Sequence, residues 1–310
     1  MQADFGIYLP PVGLSYPDLV DRARRCEADG YQSLWLFDHL SAPGLPDLPS
    51  FEGWTLATAL ATATARIRLG HLVLCNSFRH PALLAKMATT LDVISGGRLD
   101  FGIGSGSWPT EHAQAGMPWG TLAERSERLA ETLEIVTRAW ASPRSSFHGR
   151  HYQVTDLPHR PGPVQDPHPP VFVGGIGRRT TLPIAARYAD VWNLPTYGLE
   201  DVDGATAALD RACDDAGRDP LTVRRSLEAV LVIGADDTEV ARRYESARRG
   251  FGGAGFGLDA GGLIGTPARL VDRIGHFVDR GFSHFVLFTT DRASHATLGL
   301  FAAEVMPHFR

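Results

Sequence analysis

Short apolar runs that read as strands alternate with amphipathic helical stretches along the whole of this sequence. "DFGIYL" (4–9), "SLWLF" (33–37), "IRLGHLVLC" (67–75) and "RLDFGIGSG" (98–106) are strand-like. Helical patterns follow them near 15–29, 53–65, from about Pro81 to "SGG" at 95–97, and over 122–140. The second half continues with strands at 169–175, 190–194, 229–235 and 284–290, interleaved with helices at 179–189, around 201–217 and 237–249, and at 267–281. Strands apolar along nearly their whole length belong in a parallel sheet covered by helices on both faces. Eight of them in this rhythm predict an α/β fold, a closed (β/α)8 TIM barrel, with a doubly wound open sheet as the alternative. A barrel of this kind needs about 250 residues. The 310 present therefore predict one domain over 1–310 with insertions near 142–168 and 250–265.

Composition narrows the function. Net charge is −5, from 30 basic and 35 acidic residues, and the basic ones are dispersed, which speaks against a nucleic-acid partner. Three cysteines far apart in sequence do not make a disulfide framework, so a reducing, cytoplasmic setting is expected. The start "MQADFGIYLPP" lacks a basic segment followed by an apolar one, which predicts no secretory leader, and no run is long enough for a membrane span.

In a barrel of this type the active face is formed by the strand C-termini and the loops after them. Asp38 and His39 fall there, as do Cys75, Asn76 and Ser77, "GSGSW" (104–108), "GGIGRR" (174–179) and Asn193. Any one of these has a bland reading as a helix cap or a satisfied loop pair; their convergence on one mouth favours a functional one. "VGGIGRRT" places three glycines between a strand and a helix, where backbone N–H groups and the helix N-terminus can hold an anion. Its glycine spacing is not the dinucleotide fingerprint. A tight turn with solvated arginines remains its alternative. Twelve histidines raise the question of a metal, but no HxH or HxxxH pair lies in or near the first insertion, and none is expected. Tyr8, Phe51, Trp54, Trp108, Trp119 and Tyr197 crowd the expected mouth, where a flat ring would suit them.

Together these pieces resemble the bacterial-luciferase-like superfamily of flavin-dependent barrel enzymes. The similarity runs through "GYQSLWLFDHL", "GRLDFGIGSGSWPTEHAQAG", "ERSERLAETLEIVTRAW", "FHGRHYQV", "PPVFVGGIGRRTTLPIAARYADVWN" and "IGTPARLVDRIGHFVDRGFSHFVL". It is nearest to the branch that uses the deazaflavin coenzyme F420. That resemblance implies hydride transfer between F420 and a small organic substrate, with His39 as the proton-exchanging group and Asp38 orienting it or capping the next segment. Leu72, Val73, Cys75 and Asn76 match the strand-three bulge under the ring, with a non-proline cis peptide expected between Leu72 and Val73 or one residue to either side. Ser105, Gly106 and Ser107 match the strand-four loop, and Gly174, Gly175, Ile176 and Gly177, with Arg178, the phosphate-holding turn. The substrate pocket is expected to draw on Tyr8, Phe51, Trp54, Trp108, Glu111, His112 and Asn193, on the two insertions and on the loop 41–52.

One departure matters. Sugar-phosphate dehydrogenases of the superfamily carry a glutamate after the strand-four Gly-x-Gly; Ser107 stands there, so Glu111 or His112 must supply any acid from another position. Family habit implies a homodimer. The alternatives are a monooxygenase using reduced FMN delivered by a separate reductase, and a non-catalytic flavin-binding barrel.

Overall fold

A computed structural model describes residues 2–251 and 256–310. Its elements run β1 (Asp4–Tyr8), α1 (Tyr16–Asp29), β2 (Ser33–Leu36), α2 (Gly53–Ala63), β3 (Arg68–His71), β4 (Leu74–Cys75), α3 (Pro81–Ser95) and β5 (Leu99–Gly104). There follow α4 (Pro109–Gln114), α5 (Leu122–Ala141), β6 (Arg144–His148), β7 (Gln153–Pro158), β8 (Val171–Gly174), α6 (Thr181–Tyr188) and β9 (Val191–Leu194). The chain ends with α7 (Val202–Asp215), β10 (Arg224–Ile233), α8 (Asp237–Phe251), α9 (Leu258–Gly261), β11 (Leu263–Gly265), α10 (Pro267–Val278), β12 (Phe282–Thr289) and α11 (His295–Glu304).

Eight parallel strands close on themselves in the order β1-β2-β3-β5-β8-β9-β10-β12, with β12 returning to β1. This is the TIM barrel. The strands close because both their faces are apolar: all residues of β2, β5 and β9 are buried. One large cluster, including Leu34, Phe101, Val173 and Leu287, packs between barrel and helices. A second, with Trp35, Leu72, Phe172, Val191 and Val286, fills the inside. Trp35 is fully buried there, and its ring fits because two neighbours lack a side chain. A Cβ on Gly6 would lie 2.7 Å from its Nε1, and one on Gly70 would lie 2.6 Å from its Cζ3.

Helix boundaries follow local chemistry. Ser15 and Asp18 form a capping box at the start of α1, Thr121 and Glu124 another at the start of α5, and Gly30 and Gly96 end α1 and α3 in the left-handed conformation.

The expected third strand is broken in two. The peptide between Leu72 and Val73 is cis, where the resemblance places it, and β4 resumes beside β5 with Leu74 opposite Ile103. The expected first insertion holds an antiparallel hairpin, β6 with β7, packed against α5 outside the barrel. Asp92 Oδ2 anchors the next stretch by accepting the Val164 and Gln165 amides at 2.7 and 3.1 Å. In the second expected insertion, α9 and β11 lie along β10, while 252–255 fall outside the described residues. The seventh barrel strand starts five residues earlier than expected, because Arg224 and Arg225 reach sideways to Asp4 and Asp210 instead of breaking the strand. Among the described residues no helix is long and apolar enough to cross a membrane.

Candidate active site

The C-terminal ends of β2, β4, β5, β8 and β9, with Glu228 from the middle of β10 (Arg224–Ile233), surround a cavity of about 380 Å³. His39, after β2, faces it. A carboxylate oxygen of Glu111 lies 3.0 Å from His39 Nδ1. A carboxylate only accepts, so Nδ1 carries the hydrogen and Nε2 is left to face a ligand. Glu111 is buried in the first turn of α4, where the sequence "WPTEH" sets a proline to start the helix. Its other oxygen accepts the amides of Leu40 and Ser41, so the carboxylate holds the whole His39 loop.

Asp38 does not hold His39. Asp38 also borders the cavity, but its carboxylate turns to other partners. Its carboxylate takes two charge-assisted bonds from Arg79, at 2.6 and 2.8 Å, and the Cys75 amide at 2.8 Å. Arg79 in turn reaches Glu52, the N-cap of α2. Asp38 therefore ties the end of β2 to the bulge after β3, and the orienting role expected of it belongs to Glu111.

His112, one residue on, is engaged differently. Its Nδ1 lies 3.2 Å from the Trp108 carbonyl, which fixes the hydrogen there; Nε2 then accepts from Ser77 Oγ at 2.6 Å. Cys75 Sγ stands 3.2 Å from Ser77 Oγ, and burial pushes its thiol up, despite the Ser77 bonds that pull the other way. This cysteine is a neutral wall group.

Below the cavity a polar chain runs into the barrel. Ser226 donates to Asn193 Oδ1 at 2.9 Å, so it must accept from His284 Nδ1 at 2.8 Å. Ser33 then donates to His284 Nε2 at 3.1 Å and accepts from Trp35 Nε1 at 2.8 Å. Every link is consistent with a neutral imidazole, and burial pushes His284 down to about 3. Asn193 is thereby held with its amide NH2 turned away from Ser226, available to the cavity it lines.

The glycine turn closes the β8 side. Gly175 has φ +130°, and a Cβ on Gly177 would lie 2.2 Å from Thr180 Oγ1. Among the described residues the amides of Ile176, Gly177, Arg178 and Arg179 have no acceptor, and α6 begins directly after them. These donors and the helix end fit an anion such as a phosphate. The wall beside them fits a flat ring: Leu72, Val73 and Leu74 line it, and the glycines at 104 and 106 keep Val73 and Cys75 close.

Ser105, Gly106, Ser107, Trp108, Gly174 and Ile176 also line the cavity, as expected from sequence. Other expected members stand elsewhere. Asn76 is buried beside the cavity rather than lining it, and Arg178 is exposed at the rim, 3.9 Å from Asp201. Trp54 stacks on buried His71, Phe51 is exposed, and Tyr8 packs edge-on against Phe288. Trp119 covers the His112 ring. No residue of 41–52, 142–168 or the described part of 250–265 is in the lining: the hairpin is drawn to α5, Val164 and Gln165 are tied to Asp92, Pro49 and Phe51 hydrogen-bond to the segment after β1, and β11 pairs with the end of β10. Sequence reading passed over Arg79, Thr180, Thr181 and Glu228. Only the last had a visible signal, a glutamate inside the apolar run "LEAVLVI".

A closed parallel barrel whose mouth sets a glycine turn with free amides beside a histidine–glutamate pair fits a flavin-type barrel protein. The chain belongs to the luciferase-like monooxygenase family, which matches it over residues 3–256. It is 31% identical over 225 residues to the F420-dependent hydroxymycolic acid dehydrogenase of Mycobacterium tuberculosis, covering 72% of this chain and 61% of the relative. It is 33% identical over 191 residues to the FMNH2-dependent dimethylsulfone monooxygenase of Pseudomonas putida, covering 62% of this chain and 51% of that one. The chain thus spans less than two thirds of the length of either relative. In fold it is similar to an F420-dependent secondary alcohol dehydrogenase solved with an F420-acetone adduct, with a TM-score of 0.84 at 19% identity and 100% of both chains covered.

Proposed function

We propose that this protein is an oxidoreductase that moves a hydride between coenzyme F420 and a small organic substrate. The observation that carries this reading is the His39–Glu111 pair, 3.0 Å apart, facing the same cavity as the glycine turn. When bound, the deazaflavin supplies a ring carbon that gives or takes a hydride. The protein's residues do the rest. The free amides at 176–179 would hold its phosphate, and Leu72 and Val73 would support its ring. His39 Nε2 takes the substrate's proton as hydride leaves, or returns it in reverse, with Glu111 balancing the imidazolium charge. We read the protein as cytoplasmic, in keeping with three unpaired cysteines, and as a homodimer.

A second reading, a monooxygenase using reduced FMN from a separate reductase, is supported by the likeness to the dimethylsulfone enzyme. The purified chain is to be titrated with F420 and with FMN side by side, following quenching of cofactor fluorescence. Saturable binding of F420 is expected; tight FMN binding without F420 binding reverses the choice. Binding of either without turnover of any acceptor points instead to a non-catalytic flavin-binding barrel.

A further inference from the structure

The ionisable groups in the cavity lining are carboxyls, imidazoles, a thiol and a phenol; neither lysine nor arginine is among them. Most already have partners. Asp38 is bound by Arg79, Glu111 by His39 and two amides, and His112 by Ser77 and a carbonyl. Glu228 is different: among the described residues its carboxyl has neither a hydrogen-bond nor an ion-pair partner.

Its position explains why. Glu228 sits in β10 directly across from Val286 of β12, between Leu227 and Ala229, which point out to the helix layer. The titratable groups facing it are Tyr8 of β1 and Tyr197 of the turn after β9, and burial raises both phenols, with Glu228 adding to the rise. Among the described residues no cation compensates it. Burial alone pushes the Glu228 carboxyl up to about 7. A carboxyl walled by phenols and apolar side chains gives its proton to an oxygen, or accepts one from a hydroxyl, and it repels an anion.

Resting on the oxidoreductase reading above, we propose that Glu228 sets the charge class of the substrate. The cavity accepts uncharged organic molecules bearing a hydroxyl or carbonyl oxygen, which hydrogen-bond to Glu228, and turns away carboxylated and phosphorylated ones. The cofactor's own anion is served separately by the amides at 176–179, two strands away around the barrel.

The test is binding, which is separable from turnover. Cyclohexanol, cyclohexanone and cyclohexanecarboxylate are titrated by ligand-observed NMR into the full chain, first without cofactor and then with saturating F420. The wild type is expected to prefer both neutral rings over the carboxylate by about tenfold or more at pH 8. That preference shrinks at pH 6, where Glu228 holds its proton. In Glu228→Gln the preference at pH 8 falls by about tenfold and loses its pH dependence, whereas Glu228→Asp keeps both. A wild type that binds the carboxylate as well as the alcohol, a preference unchanged in Glu228→Gln, or failure of either neutral ring to bind overturns the proposal. Should Glu228→Gln not fold, the wild-type comparison still decides: a preference flat between pH 6 and pH 8 overturns it. Failure of F420 to bind removes the cofactor reading alone, because the cofactor-free arm stands without it.

Discussion

His39 Nδ1 and Glu111 Oε2 lie 3.0 Å apart although 72 residues separate them in the chain. The contact crosses from the loop after β2 to the short helix after β5, and it fixes which imidazole nitrogen faces the cavity. Replacing Glu111 with Gln keeps the shape but removes the acceptor-only partner. Turnover with F420 is expected to fall roughly ten- to a hundredfold in Glu111→Gln and by about 10² to 10⁴ in His39→Ala. The double variant should be no worse than His39→Ala, since one residue acts through the other. Steady-state kinetics of the three variants, with cofactor affinity measured in parallel, checks this; a Glu111→Gln enzyme with full turnover would remove the pair from the mechanism.

The Asp38–Arg79 pair predicts a loss of stability. Arg79→Met strands a buried carboxylate with only the Cys75 amide, at an expected cost of about 3–5 kcal/mol. Urea unfolding monitored by tryptophan fluorescence reads it. A cost under about 1 kcal/mol would show that water replaces the guanidinium there.

Cofactor affinity tests the glycine turn. In Gly177→Ala the added Cβ meets Thr180 Oγ1 at 2.2 Å, so the Thr180 side chain or the turn that presents the amides has to shift. Affinity for a phosphate-bearing cofactor is expected to drop by about tenfold or more, with little change in unfolding midpoint. Fluorescence titration and thermal melts on the same sample separate the two effects.

Glu228 predicts an unusual pH profile of stability. Its carboxyl is pushed up from 4.5 to about 7 by burial, so the folded chain holds this proton more tightly than the unfolded one. The stability it contributes is complete below pH 4.5 and is lost as pH rises through 7. Glu228→Gln carries no such titration, and its stability relative to wild type should therefore climb between pH 5 and 8, by about 1–3 kcal/mol. Denaturant melts at those two pH values measure the change; a constant difference contradicts the buried placement.

The barrel was legible because its strands are short apolar runs between longer amphipathic stretches, and length and flanking glycines separate the two. What escaped was set by distance. The adjacency of Asp38 and His39 suggested a working pair, yet Arg79 and the Cys75 amide engage Asp38 while Glu111 engages His39. Glu111 reaches His39 only because the chain after β5 folds back across the mouth, which no local pattern records. Arg224 and Arg225 looked like the end of a loop, but their partners Asp4 and Asp210 let the strand continue. The segment 144–158 is largely exposed and polar, so its strands lack the apolar run that marks the others, although Gly149 does sit in the four-residue turn. The cavity lining at Gly174–Gly177 was readable, because glycines between a strand and a helix have few other uses.

Trp35, set between Gly6 and Gly70 and resting on Phe172, stops the barrel like a cork. The chamber above it has a filled floor, so cofactor and substrate would share the loop side of the barrel, and whichever sits deeper would have to arrive first and depart last.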